Sequence, residues 1–467
     1  MADAPPHRWL VSFVSGVAAG AAGTILVQAL APRRGFDVRL LGDRREGVPP
    51  VVIVPGLLGC ELLRPDGARA WLNVGNALGY HHLSLPLELP LGRGRDRLVP
   101  GDLLGADRAL PRLFGFTEYA DLIELVESAG FVRDSRLPRG HQAYHIFSYD
   151  WRRDLVESAR RLHDTLDELA DAAGDPHARF NLVAHSMGGL VARYFLRYGR
   201  SEPGGPVTWA GAGRVGSLAL AVTPSGGSVH ALGAILSGQR VGLSATTLAA
   251  PVIGSMPAMY QILPPRGVSA LLDHRLDPIR ADLFAVGTWR GFGWGPFAPG
   301  QDAGTRGPTD DEAVQAHLGA ALDRAARFHD ALARRPESPC PVRVTLLGGD
   351  CFPTLARAVV PEAPGSLPRL DPQSPREAEA LLEAGDGRVT RASVLATHLP
   401  EAALTELECG IPEVSGAFLG SADHHGIYAE PTFQSLLLRL LLRPAPGARR
   451  RPGPSDGRPH RLDSAIG

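Results

Sequence analysis

Lysine is absent from this 467-residue chain, and all 48 basic side chains are arginine. With abundant alanine and glycine, that points to a coding bias rather than a chemical demand. Net charge is also nearly absent. The 48 basic residues face 49 acidic ones, leaving −1, which argues against bulk electrostatic binding of nucleic acid. Cysteine is scarce: Cys60, Cys340, Cys351 and Cys409 are scattered and form no Cys-x-x-Cys pair. A structural zinc site is therefore not expected, while free thiols and one or two disulfides both fit the spacing. The chemistry inferred below needs neither metal nor cofactor. Internal repeats are missing as well.

What is present begins with length and apolar content. At 44% hydrophobic, the chain can bury a large core, and 55 glycines with 41 prolines predict long, numerous loops. Trp9 to Ala31 is a run of 23 residues without formal charge, long enough to span a bilayer. Ala29-Leu30-Ala31 resembles an export cleavage site, but Pro32 follows directly and disfavours cleavage. We therefore expect an uncleaved anchor giving membrane association through residues 9–31, with export as the alternative. Arg33, Arg34, Arg39, Arg44 and Arg45 follow the segment, against Arg8 before it. That asymmetry favours a cytoplasmic catalytic part and conflicts with export, so the side of the membrane stays open. Residues 1–47 are read as this segment plus a linker, and 443–467 as a disordered Arg/Pro-rich tail.

Between them, apolar strands and amphipathic helices alternate. Val51–Val54 is a short continuous apolar run ending in Pro55-Gly56, typical of a strand buried on both faces. Tyr119 to Ala129 has helical spacing behind a Thr117 cap candidate. Tyr144–Ser148 reads as a strand, Asp154–Ala173 as a long amphipathic helix, Val215–Val222 and Val342–Leu347 as further strands, and Phe433–Leu442 as a final helix. This alternation predicts an α/β layered fold with a mainly parallel sheet over residues 48–442. Residues 226–341 interrupt it and are expected to form a cap or lid. They contain the Gly-rich aromatic stretch with Trp289, Phe292, Trp294 and Phe297. Those rings either pack a loop, line an acyl channel or insert into a bilayer.

The sharpest chemical signal is Ala184-His-Ser-Met-Gly-Gly189. An apolar strand, Phe180–Val183, runs into a small-residue turn with Ser186 at its apex. A helical pattern (Leu190, Val191, Tyr194, Phe195) follows at once. This is the small-x-Ser-x-Gly nucleophile elbow. A serine hydroxyl is a weak nucleophile, so the pattern demands a histidine base and an acid elsewhere. The oxyanion donors are expected to be the Met187 N–H and the Leu57 N–H in Val54-Pro-Gly-Leu-Leu-Gly59. In chain order the acid should come next and the histidine last. Asp350 and Asp386 both qualify, and position alone favours neither. The base candidates are the adjacent His424 and His425, with His424 preferred. His185, beside the nucleophile, is expected to point away from the reacting face.

Taken in order, these motifs resemble the lecithin:cholesterol acyltransferase family of α/β-hydrolases. The resemblance covers most of residues 48–442. It rests on Val51–Gly59 followed by Trp71-Leu-Asn73, on Tyr149-Asp-Trp-Arg152, the elbow, Thr223–Ser228, Met256–Pro264, Gly385-Asp-Gly-Arg-Val389 and Asp423-His-His-Gly-Ile427. It favours Asp386 as the acid, because Gly349-Asp-Cys-Phe-Pro-Thr354 is similar to a loop whose recurring feature is Pro-Thr. It also puts His424 in register as the base. What it implies is an α/β-hydrolase fold and acyl-ester chemistry on a lipid, by hydrolysis or O-acyl transfer, through Ser186, His424 and Asp386. The alternatives are a soluble-substrate serine esterase or thioesterase of the same fold, and an inactive, membrane-tethered binding protein.

Overall fold

In the computed structural model, the described residues are 47–71, 80–92, 94, 96–104, 118–133, 142–240, 247–298, 308–398 and 409–443. The run 9–31, most of the Arg/Pro tail, Thr117 and Asn73 lie outside them. Among the described residues, no helix is long and apolar enough to cross a membrane.

Seven strands form the central sheet: β1 (Val51–Val54), β2 (Phe131–Arg133), β3 (Gln142–Ile146), β4 (Phe180–His185), β5 (Val215–Ala221), β6 (Arg343–Gly349) and β7 (Val414–Gly420). Their order is β7-β6-β5-β4-β1-β3-β2, and every pairing is parallel. The apolar-rich strands behave as their composition dictates. All four residues of β1 and all six of β4 are buried, which a parallel sheet covered on both faces requires. The third and sixth strands are shifted by one or two residues from the sequence expectation, at ends where apolar pattern fixes boundaries least.

Helices supply that cover. They include α1 (Glu118–Ser128), α2 (Leu155–Ala172), α3 (Met187–Tyr198), α4 (Val229–Ser237), α5 (Pro308–Ala333) and α6 (Pro431–Leu441). The first turn of α2 is capped by Asp154, whose carboxylate accepts the Val156 N–H. Its buried face is Leu155, Ala159, Leu162, Leu166 and Ala170, the helical stripe visible in the sequence. Just before it, Tyr149-Asp-Trp-Arg152 is structural. The Trp151 indole donates to the Cys60 carbonyl (3.0 Å). The fully buried Arg152 guanidinium lies 2.6 Å from Asp96 and 2.7 Å from Asp150, the pairing a buried cation requires.

Between β5 and β6 the described residues include α4, α5, further short helices and two-residue strands. This segment is fastened to the sheet layer through Asp154, which accepts from Gln261 (2.7 Å) and from Arg324 (2.7 Å). The aromatic stretch packs inward. Trp289 and Trp294 are buried and edge-on (6.2 Å), and Phe292 stacks on Trp294 (4.6 Å). All four cysteines are free thiols.

One buried charge cluster ties together the two elements that deliver chemistry. Glu413, immediately before β7, accepts from Arg193 and Arg197 of α3, each at 2.7 Å, with all three side chains buried. Burial opposes ionisation of Glu413, but the two guanidinia outweigh it and hold its carboxyl below the ordinary range. Removing the negative charge strands two buried cations. Glu413→Gln is expected to lose about 3–5 kcal/mol of stability, read as a lowered urea midpoint at unchanged slope. A depressed folded pKa stabilises above the unfolded value near about 4.3. The gap between wild type and variant should therefore close as pH falls through the folded pKa.

Candidate active site

The strand order reverses at β1, with β4 on one side and β3 on the other. Crevices at the carboxyl ends of parallel strands open at such a switch point. Register sets Val54 beside Ala184, so the Pro55–Gly59 loop leaves the sheet next to the Ser186 turn. Ser186 has φ 51°, a left-handed conformation that costs a non-glycine residue on the order of 1–3 kcal/mol. Its N–H is held by the Ala221 carbonyl at 2.8 Å. The turn is sterically closed: a Cβ on Gly188 would sit 2.4 Å from the Pro55 carbonyl oxygen. Gly188 is small because backbone lies against it, and Gly189 because the Thr223 side chain does.

Ser186 Oγ is 3.0 Å from His424 Nε2, and His424 Nδ1 is 2.9 Å from Asp386 Oδ2. A carboxylate only accepts, so Nδ1 carries the proton and Nε2 is free to accept from the serine hydroxyl. Asp386 Oδ1 also accepts the Arg388 and Val389 N–H groups (2.8 and 2.7 Å). Burial resists ionisation of Asp386. The His424 ring and these N–H donors prevail and hold its carboxyl below the usual carboxylate range. Asp350 is not part of this chain; its carboxylate accepts from the Cys351 thiol. After β6 the chain forms an antiparallel pair, Phe352–Leu355 with Leu382–Gly385, which returns Asp386 to the same end of the sheet. Thr354 steadies that loop by accepting the Gly387 N–H at 2.8 Å.

His425 turns elsewhere, its Nδ1 lying 3.2 Å from the Glu118 carboxylate. Burial lowers its affinity for a proton, but Glu118 more than compensates, and His425 titrates above the ordinary histidine value. His185 differs from expectation. It does not point away into inert packing but sits against the His424 ring, with centroids 5.2 Å apart. Tyr119 Oη lies 3.0 Å from its Nδ1, and the His424 carbonyl 3.3 Å from its Nε2. Burial, with the neighbouring His424 charge, pushes it down to about 3, so it is neutral. Tyr119 and Glu118 were not recognised as site residues. In sequence they are simply the first turn of an amphipathic helix, and no local signal sets them apart.

A cavity of about 680 Å³ opens over Ser186 and His424. Leu57 and Met187 both line it. Among the described residues neither backbone N–H donates to another protein group, which leaves two donors where the oxyanion pattern expects them. Its apolar lining includes Ala231, Ala234, Met259, Ile262 and Leu370, beside the polar His230, Ser237, Gln239 and Arg240. Most of it comes from the segment that interrupts the alternation. None of Trp289, Phe292, Trp294 and Phe297 borders the cavity, so the loop-packing alternative holds for them.

Residues 111–284 match the family model described as lecithin:cholesterol acyltransferase. The resemblance read from the ordered motifs is borne out over that stretch, which contains the elbow but neither the Leu57 loop nor Asp386 nor His424. No curated protein sequence matches the chain. Among solved structures, the Tle4–Tli4 complex is 15% identical at a TM-score of 0.51, with 84% of this chain and 98% of that chain covered. A Bacillus licheniformis lipase, BlEst2 in mature form, is 12% identical at 0.34, with 86% and 94% covered. EstA from Clostridium botulinum is 12% identical at 0.35, with 89% and 93% covered. At such identities the first likeness concerns the fold alone. The chain folds as an α/β-hydrolase, and the family match carries to the level of an acyl-ester hydrolase or acyltransferase.

Proposed function

We propose that this protein is a serine-dependent lipid acyl hydrolase or O-acyltransferase, acting on phospholipid-like esters. The observation that carries the reading is the Ser186–His424–Asp386 chain of hydrogen bonds opening onto a cavity with a partly apolar lining. In the first half-reaction, Ser186 Oγ attacks the ester carbonyl and its proton passes to His424 Nε2. The carbonyl oxygen takes the negative charge and accepts from the Leu57 and Met187 N–H groups. The tetrahedral species collapses, the C–O bond to the leaving alcohol breaks, and His424 returns the proton to that alcohol. Asp386 orients His424 and stabilises its charged form. In the second half, water or an alcohol gives a proton to His424, attacks the acyl-enzyme and releases Ser186. The apolar part of the lining takes the acyl chain, and residues 226–341 serve as the cap that limits water at the acyl-enzyme. Residues 9–31 would keep the enzyme at a lipid surface.

The test offers the full chain phosphatidylcholine vesicles labelled in the acyl chain, with and without a long-chain alcohol. Labelled fatty acid should be released, and part of the label should appear as a new ester when alcohol is present. Turnover of short soluble esters with no attack on the vesicles would defeat the lipid reading and leave a soluble-substrate esterase.

A further inference from the structure

Tyr119 stands between three parts of the site that are distant in sequence. The Gly56 N–H donates to its hydroxyl at 2.8 Å. The His424 carbonyl beside His185 Nε2, at 3.3 Å, can only accept, so that nitrogen carries the proton of the neutral ring and Nδ1 accepts from the Tyr119 hydroxyl at 3.0 Å. One ordered chain therefore joins the loop after β1, the residue preceding the nucleophile, and the backbone of the base. The tyrosine is 1% exposed, and the loop makes room for it: a Cβ on Gly59 would fall 2.7 Å from Tyr119 Oη. On the other side of the same loop, the Tyr149 hydroxyl donates to the Pro55 carbonyl at 2.7 Å. Two buried tyrosines thus hold the carbonyl and the N–H of one peptide group, Pro55–Gly56, and Leu57, the next residue, lines the cavity.

We propose that Tyr119 is a positioning residue for the acyl-transfer chemistry, holding the Leu57 donor and the His424 backbone in fixed relation to Ser186. The proposal rests on the serine mechanism given above. A buried phenol that accepts from the Gly56 loop and donates to His185, which in turn reaches the His424 backbone, is the kind of support that transition-state donors need, since they act only when held rigidly in place.

The experiment compares wild type, Tyr119→Phe, His185→Phe and the double variant on a chromogenic ester. Each rate is divided by the end-point stoichiometry of fluorophosphonate labelling, which counts competent sites. Tyr119→Phe should lower kcat per labelled site about tenfold at unchanged KM. The labelling rate should slow to a similar degree. His185→Phe should also reduce kcat per site, and the double variant should lose no more than Tyr119→Phe alone, because both act through one chain. His185→Phe also keeps the test decisive should Tyr119→Phe fail to fold. A purely structural role would instead reduce the number of labelled sites and leave kcat per site at the wild-type value. That result, or strictly multiplicative losses, overturns the proposal while the serine mechanism stands. Wild type that does not label at all removes the serine mechanism and this inference together.

Discussion

Ser186→Ala is expected to abolish ester turnover, lowering kcat by about a million-fold, and to eliminate fluorophosphonate labelling. The magnitude follows from how the site divides its work. Without the hydroxyl no acyl-enzyme forms, and only the oxyanion donors and substrate binding remain. In serine hydrolases these retain a residual ~10³–10⁴ over water. The fold should survive the change. The one side-chain hydrogen bond found for Ser186 goes to His424, and alanine inherits the same left-handed backbone with the same Cβ. Equal thermal midpoints with lost labelling would therefore identify a chemical defect. Should Ser186→Ala label as wild type does, the nucleophile is elsewhere and the reading fails.

Much of this site was legible in the chain because its parts are local. The strand Phe180–His185 is mostly apolar, and the turn after it must be small because Pro55 and Val54 carbonyls press on Gly188. Both facts leave a mark within ten residues. The oxyanion loop is similarly compact. What was not legible depends on the return path of the chain. Asp350 and Asp386 both follow the sixth strand. Position in the chain could not choose between them, and only the resemblance of Gly385-Asp-Gly-Arg-Val389 favoured Asp386; the antiparallel pair between the two is what physically carries that carboxylate to His424. Tyr119 and Glu118 were invisible. Their partners, Gly56, His185 and His425, lie far along the chain, and a helix start with Glu and Tyr is ordinary. The aromatic stretch after Gly287 is a different case. Rings that line a channel and rings that fill a core share one composition. Only the tertiary packing distinguished them.

Asp386→Asn should lower kcat by about 10⁴ while leaving the protein folded, and the reason can be followed atom by atom. Asp386 Oδ1 accepts two backbone N–H groups, from Arg388 and Val389, and Oδ2 accepts from His424 Nδ1. An asparagine has one oxygen and one amino group to place in those two positions. The two N–H donors demand the oxygen, because an amino group there would leave both unsatisfied in a buried loop. The amide nitrogen must then face His424 and donate to Nδ1. That forces the imidazole proton onto Nε2, where it points at the serine hydroxyl instead of accepting from it. The geometry is kept and the base is lost. Two controls make the result specific. Asp350→Asn should remain within a factor of a few of wild type, since among the described residues its carboxylate accepts from the Cys351 thiol and not from His424. The urea midpoint of Asp386→Asn should stay close to wild type, since the loop keeps its acceptor. The alternative assignment predicts the opposite pattern, a collapse in Asp350→Asn and an active Asp386→Asn. Because the wild-type carboxyl is held below the usual range by His424 and the loop N–H groups, it stays ionised through neutral pH. The difference between the two enzymes at pH 7 is thus a difference in tautomer.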